Sequence, residues 1–175
     1  RRFPEFGLKV KEVSMILEIL TYPDEFLRQP TQTVETVDES IREIIENMAD
    51  TMYEAPGVGL AAIQAGIDKS IIVYDPEADP EKRGFQALIN PKIISKTGEP
   101  LSENEGCLSV PDFRSDVKRA ETVVVEGLDW EGNPVHIDAD GFLSVILQHE
   151  IDHLNGILFI DRISPLKREM YKKRR

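Results

Sequence analysis

The residues best suited to chemistry fall in one hexapeptide, Gln148-His149-Glu150-Ile151-Asp152-His153. On a helix, side chains four apart stand one turn apart on the same face. His149 and His153 can therefore present two imidazoles to one metal ion. Glu150 follows the first of them and can reach a water molecule at that ion without being a ligand. This is the logic of a hydrolytic metal helix. The chain has three histidines, and two of them take this spacing beside a glutamate. That weighs against ordinary core or surface roles for the pair.

A metal site with one open position needs a third protein ligand. The single cysteine, Cys107, lies in Glu105-Gly106-Cys107-Leu108-Ser109. Gly106 allows close backbone approach. A lone cysteine is more often a small buried apolar side chain than a ligand, but beside a two-histidine helix the balance reverses. Two imidazoles and one thiolate make an open, three-ligand site. His136 could complete a closed structural site, although it falls on an expected exposed hairpin strand. A third segment is Gly57-Val58-Gly59-Leu60-Ala61-Ala62-Ile63-Gln64. It reads as a tight turn before a close-packed strand or helix. It also reads as a small-residue surface on which a substrate backbone could lie. Gln64 is a neutral donor able to stabilise a developing oxyanion.

These residues need elements to carry them. The apolar pattern predicts a helix over Gly141–Leu154, with Phe142, Val145, Ile146, His149 and His153 on one face and Asn155-Gly156 as its end. Asp38 caps a helix over residues 39–53, whose apolar face holds Ile41, Ile44, Ile45, Met48 and Met52. Ser164 as N-cap and Pro165 at the first helical position open a third helix. Strands are expected at Ile71–Tyr74, 86–89 and 92–95. Thr122–Leu128 turns through residues 130–134 into a partner strand ending at Ile137. The expected class is α+β, with mostly antiparallel sheets packed around a central metal-binding helix. Residues 15–175 read as one catalytic domain with a basic C-terminal helix from about 164. Residues 1–14 read as an N-terminal extension or expression remnant.

The 175-residue length suits one domain with a real core. No apolar run approaches the roughly 18 residues of a membrane span, and the first residues lack a secretory pattern. One thiol excludes an internal disulfide and fits a reducing cytosol, so a cytoplasmic protein is expected. The net charge of -11 excludes bulk affinity for nucleic acid. The last ten residues nevertheless hold six cations and one glutamate. This is a solvated helix or a basic handle for a polyanion.

Taken in order, GxGLAAxQ (57–64), EGCLS (105–109) and HExDH (149–153) resemble the peptide deformylases, with EGCLS as in the bacterial type. The resemblance runs from Ile16 to the basic C-terminus. It implies removal of the formyl group from the N-terminal methionine of nascent polypeptides. It implies Cys107, His149 and His153 as metal ligands and Glu150 as general acid/base. Gln64 and the Leu108 N–H would form the oxyanion hole. The backbone at Val58, Gly59 and Gly106 would hold an extended peptide, Val58, Phe142, Val145 and Ile146 would line the methionine pocket, and Arg114 would sit at its rim. The resemblance further implies one Fe²⁺ per chain, with Zn²⁺, Ni²⁺ or Co²⁺ as substitutes. It implies formylmethionyl peptides as partners, and the ribosome through the C-terminal helix, with no membrane or specific DNA partner.

Two other readings share some of these residues. A HExxH metallopeptidase would cut internal peptide bonds, but usually draws its third ligand from a downstream His or Glu. A zinc-stabilised, ribosome-associated binding module would have four protein ligands. An inactive relative is a third reading, against which the intact Gln64, Cys107 and Glu150 argue.

Overall fold

The structure is a computed structural model and describes residues 15–174. The expectation for residues 1–14 lies outside the described residues. Helix α1 covers Glu39–Glu54, and the Asp38 carboxylate accepts the N–H of Ile41 as its cap. Strands β1 (Gly59–Ala61), β2 (Ile71–Tyr74) and β3 (Gln86–Thr97) follow. Next come β4 (Leu101–Cys107), β5 (Val110–Lys118), β6 (Thr122–Leu128) and β7 (Pro134–Asp140). Helix α2 spans Gly141–Leu154 and α3 Pro165–Lys172, with Ser164 accepting from the Lys167 N–H.

All strand pairings are antiparallel. One sheet runs β1-β2-β3-β6-β7, and β4-β5 forms a separate hairpin. The five-stranded sheet packs on both faces. Ile72 and Tyr74 join Ile146, Leu147, Ile151 and Leu154 of α2 in one cluster. Ile71 and Val73 join Ile41, Ile45, Met48 and Met52 of α1 in another. Alternation along β2 thus sends successive side chains to opposite helices. That explains why this strand is apolar throughout. Helix α2 is buried along most of its length, which makes it a rigid carrier for the hexapeptide.

The fold class and α2 agree with the sequence reading. Two expected strands, 86–89 and 92–95, are instead one long β3. Its register shifts between Ile89 and Lys92, where Asn90 has a φ of 53° and Pro91 has no N–H to donate. Strand β7 continues past Ile137 to Asp140. The β4–β5 hairpin was not expected. Its strands are rich in charge and their pairing is interrupted at two places, so no apolar alternation marks them. Among the described residues no helix is long and apolar enough to cross a membrane.

Candidate metal centre

Helix α2 and the end of β4 meet at the floor of a cleft of about 920 Å³. The Cys107 Sγ lies 3.3 Å from His153 Nε2, which lies 3.3 Å from His149 Nε2. Around a tetrahedral ion with bonds of about 2.0–2.1 Å, two nitrogens stand roughly 3.3–3.4 Å apart. The two imidazole nitrogens therefore have the separation that one tetrahedral cation requires, and all three donor atoms lie within 4.8 Å of one another. His149 Nδ1 is 2.6 Å from Glu105 Oε1. A proton on that nitrogen leaves the Nε2 lone pair turned toward the sulfur and the second imidazole. His136 is far from this role: it is exposed and lies beside Glu126 and Asp138.

Electrostatics favour a cation here. Burial alone would lower the pKa of His149, but Cys107, Glu105 and Glu150 outweigh it and raise it well above its usual value. The negative surroundings that favour a proton on His149 also favour a divalent ion in its place. Burial, with His149 and Arg119 adding to it, holds His153 well below its usual value and so neutral. Its Nε2 lone pair is thus available for a ligand bond.

Glu150 is buried at the cleft lining, with Oε1 4.0 Å from His149 Nε2 and Oε2 without a hydrogen-bond partner among the described residues. Burial pushes its carboxyl up to about 7, opposed by His149 and reinforced by Glu105. A carboxyl poised there exchanges protons near neutral pH. Gly59 explains how it fits. A Cβ at that position would lie 2.8 Å from Glu150 Oε1 and 2.9 Å from its Cγ. Gly59→Ala should therefore displace the carboxylate and lower kcat by about 10-fold or more, with metal content retained. Wild-type kcat in the alanine variant would show that this contact does not set the carboxylate's position.

Gln64 sits in a 3₁₀ turn after β1. Its Oε1 accepts the Ala61 N–H, and its Nε2 donates to Ser109 Oγ at 3.0 Å and approaches Cys107 Sγ at 3.6 Å. The amide is thus held with its donor end toward the donor set. Leu108, Val58, Gly59, Gly106, Arg114, Phe142, Val145 and Ile146 all line the same cleft. Every site residue expected from sequence therefore gathers here, with His153 behind the cleft wall as a fully buried ligand candidate.

A buried ionic layer beneath the donor set was not anticipated. Arg119, 3% exposed, forms a bidentate pair with Glu105 and donates to Asp152 Oδ2 at 2.7 Å. Arg162 clamps Asp152 with two further bonds of 2.6 and 2.8 Å. Gln148 accepts the Ala120 N–H and donates to the Ala120 carbonyl, which fastens the Arg119 segment to α2. Burial would raise the Glu105 carboxyl, but the bonds from His149 and Arg119 prevail and lower it to about 2. The only sequence signal was the acidic residues beside the ligands, Glu105 and Asp152. Their basic partners lie 14 and 33 residues away for Arg119.

Comparison with known proteins agrees with this geometry. Residues 16–169 match the family model described as polypeptide deformylase. The chain is 50% identical to a peptide deformylase of Desulfosudis oleivorans, over 91% of this chain and 92% of that one. It is also 50% identical to one of Syntrophobacter fumaroxidans, over 91% and 93%. The crystal structure of a peptide deformylase from Legionella pneumophila superposes with a TM-score of 0.85 at 48% identity, covering 90% and 92%. That of the Synechococcus elongatus enzyme in complex with actinonin gives 0.86 at 42%, covering 90% and 86%. With its Cys/His/His donor set, this chain belongs to the polypeptide deformylase family, metal-dependent hydrolases that deformylate nascent peptides.

Proposed function

We propose that residues 15–175 act as one catalytic domain in which Cys107, His149 and His153 hold a single Fe²⁺, and Glu150 moves the protons of formyl hydrolysis. Zn²⁺, Ni²⁺ and Co²⁺ would be substitutes at the same donors. The observation that carries the reading is the convergence of one sulfur and two imidazole nitrogens beside a buried carboxylate oxygen that has no hydrogen-bond partner among the described residues. When bound, the ion supplies Lewis-acid activation of water and carbonyl.

The protein's own residues do the rest. β1 is an edge strand of the sheet, and Val58 and Gly59 share the cleft with Gly106 of β4. An extended peptide fits between them as an added strand. Val58, Phe142, Val145 and Ile146 supply an apolar wall for the methionine side chain, and Arg114 stands at the rim. Glu150 takes a proton as water attacks the formyl carbon. The Gln64 amide and the Leu108 N–H stabilise the oxygen that gains charge. Glu150 returns the proton to the leaving nitrogen as the C–N bond breaks, giving formate and a free amine.

The test is formate release from a formylmethionyl dipeptide by anaerobically prepared, iron-loaded protein. Cleavage of an internal peptide bond without formate release would refute the reading in favour of a metallopeptidase. Cys107→Ser should lower bound metal severalfold after dialysis against a weak chelator. Unchanged metal content would remove the thiol from the ligand set. For location and partners, we propose a cytoplasmic enzyme whose basic α3 docks on the ribosome. Co-sedimentation with ribosomes should fall when residues 165–175 are deleted.

A further inference from the structure

A second groove, of about 350 Å³, lies between β5 and α3. It shares Asn104, Phe113 and Arg114 with the cleft of the metal centre. The two depressions therefore meet along one stretch of β4 and β5. Lys167, Met170 and Arg174 form the far wall; Lys167 and Met170 stand three apart on one side of α3, and Arg174 lies in the turn just past its end. Tyr171, 2% exposed, packs its ring 5.0 Å from that of Phe113 and anchors the helix against β5.

The groove carries Arg114, Lys167 and Arg174 against a single carboxylate, Asp116. Asp116 Oδ1 accepts the Asn104 N–H, so that carboxylate is engaged on the wall. None of the three cations forms an ion pair among the described residues. The sequence makes this local excess unusual. The last ten residues carry a net +5, which leaves -16 on the rest of the -11 chain.

We propose that this groove receives the downstream part of the formylated peptide and favours acidic residues there. The proposal rests on the deformylase reading and extends it beyond the residues next to methionine. An extended chain advances roughly 3.3 Å per residue, so a peptide longer than the cleft runs on past its end. Continuity of the two depressions directs it between Arg114 and the Lys167–Arg174 wall. There carboxylates meet cations, with Met170 and Phe113 as apolar lining.

The test uses formyl-Met-Ala-Ser peptides ending in three Glu, three Gln or three Lys. Both kcat/KM and the Kd of fluorescent, unformylated counterparts are measured. The Glu peptide should exceed the Gln peptide by about three- to tenfold, the scale of a few exposed ion pairs. The ratio should shrink toward one as salt rises to 0.5 M. In Lys167→Gln/Arg174→Gln protein the ratio should also approach one. Because each ratio compares two peptides on the same protein, partial misfolding of a variant cancels.

Equal affinities, a preference for Lys, or a Glu preference that survives the double substitution would overturn the proposal. So would binding of single-stranded RNA that the double substitution abolishes in a protein with no peptide preference. Formate release from a dipeptide reports on the activity itself. Its absence alongside a Glu preference in Kd would sink the deformylase reading and leave the groove assignment standing.

Discussion

Glu150→Gln should lower kcat by about 10²–10⁴-fold, the usual contribution of a positioned acid–base group, with metal content and fold retained. This corresponds to about 3–5 kcal/mol of activation free energy. The amide keeps the shape of the side chain beside Gly59, where there is no room for an added Cβ. It cannot accept a proton. The carboxyl it replaces is buried and held at about 7, where both protonation states are accessible in one catalytic cycle. KM should change little, because the substrate is held mainly by backbone and apolar groups lining the cleft. Metal analysis and formate release on the same sample decide the matter. A fully metal-loaded glutamine variant with wild-type kcat would remove Glu150 from proton transfer.

Arg119→Met carries the largest expected cost in stability. The arginine is 3% exposed and neutralises two carboxylates, Glu105 and Asp152, that are themselves buried. Removing one member of a buried ionic cluster typically costs about 3–5 kcal/mol, because the remaining charges lose their partner. Arg162 would still hold Asp152, but among the described residues Glu105 would keep only His149 as a partially positive neighbour. The loss should therefore fall mainly on Glu105 and, through it, on the orientation of His149.

The pH signature follows from the sign of the Glu105 shift. Its carboxyl is lowered from 4.5 to about 2 in the folded protein. That stabilisation is present above pH about 4.5 and is lost as pH falls through about 2. The gap between wild type and Arg119→Met should be widest near neutrality and narrow in acid. Urea unfolding of metal-free protein across this range measures it. A pH-independent gap would assign the loss to packing rather than to the Glu105 pair. The metal-loaded variant should also bind its ion more weakly, since Glu105 no longer fixes the imidazole as firmly.

The reactive groups were legible because their chemistry depends on local spacing. Two imidazoles four residues apart on a helix share a face wherever that helix lies. The apolar pattern of Gly141–Leu154 was strong enough to place both ends of α2. The Asn155-Gly156 stop and the Ser164-Pro165 start are equally local signals. What joined Cys107 to the histidines before any coordinates was its standing as the single thiol for a site that needs a third ligand, strengthened by likeness to a family, since nothing local to residue 107 points to residue 149.

Only the tertiary structure decided how those groups are held. No local pattern marks Arg119, yet packing encloses it with Glu105, the partner of His149, and with Asp152 of α2. Gly59 reads as a turn glycine, yet its missing Cβ is the space that Glu150 occupies. The β4–β5 hairpin and the basic groove beside α3 depend on pairings among charged strands and a late helix. The physical reason is one of range. Helix periodicity and caps are set by neighbours within about four residues. Desolvation and ion pairing are set by whichever distant segments the fold brings together.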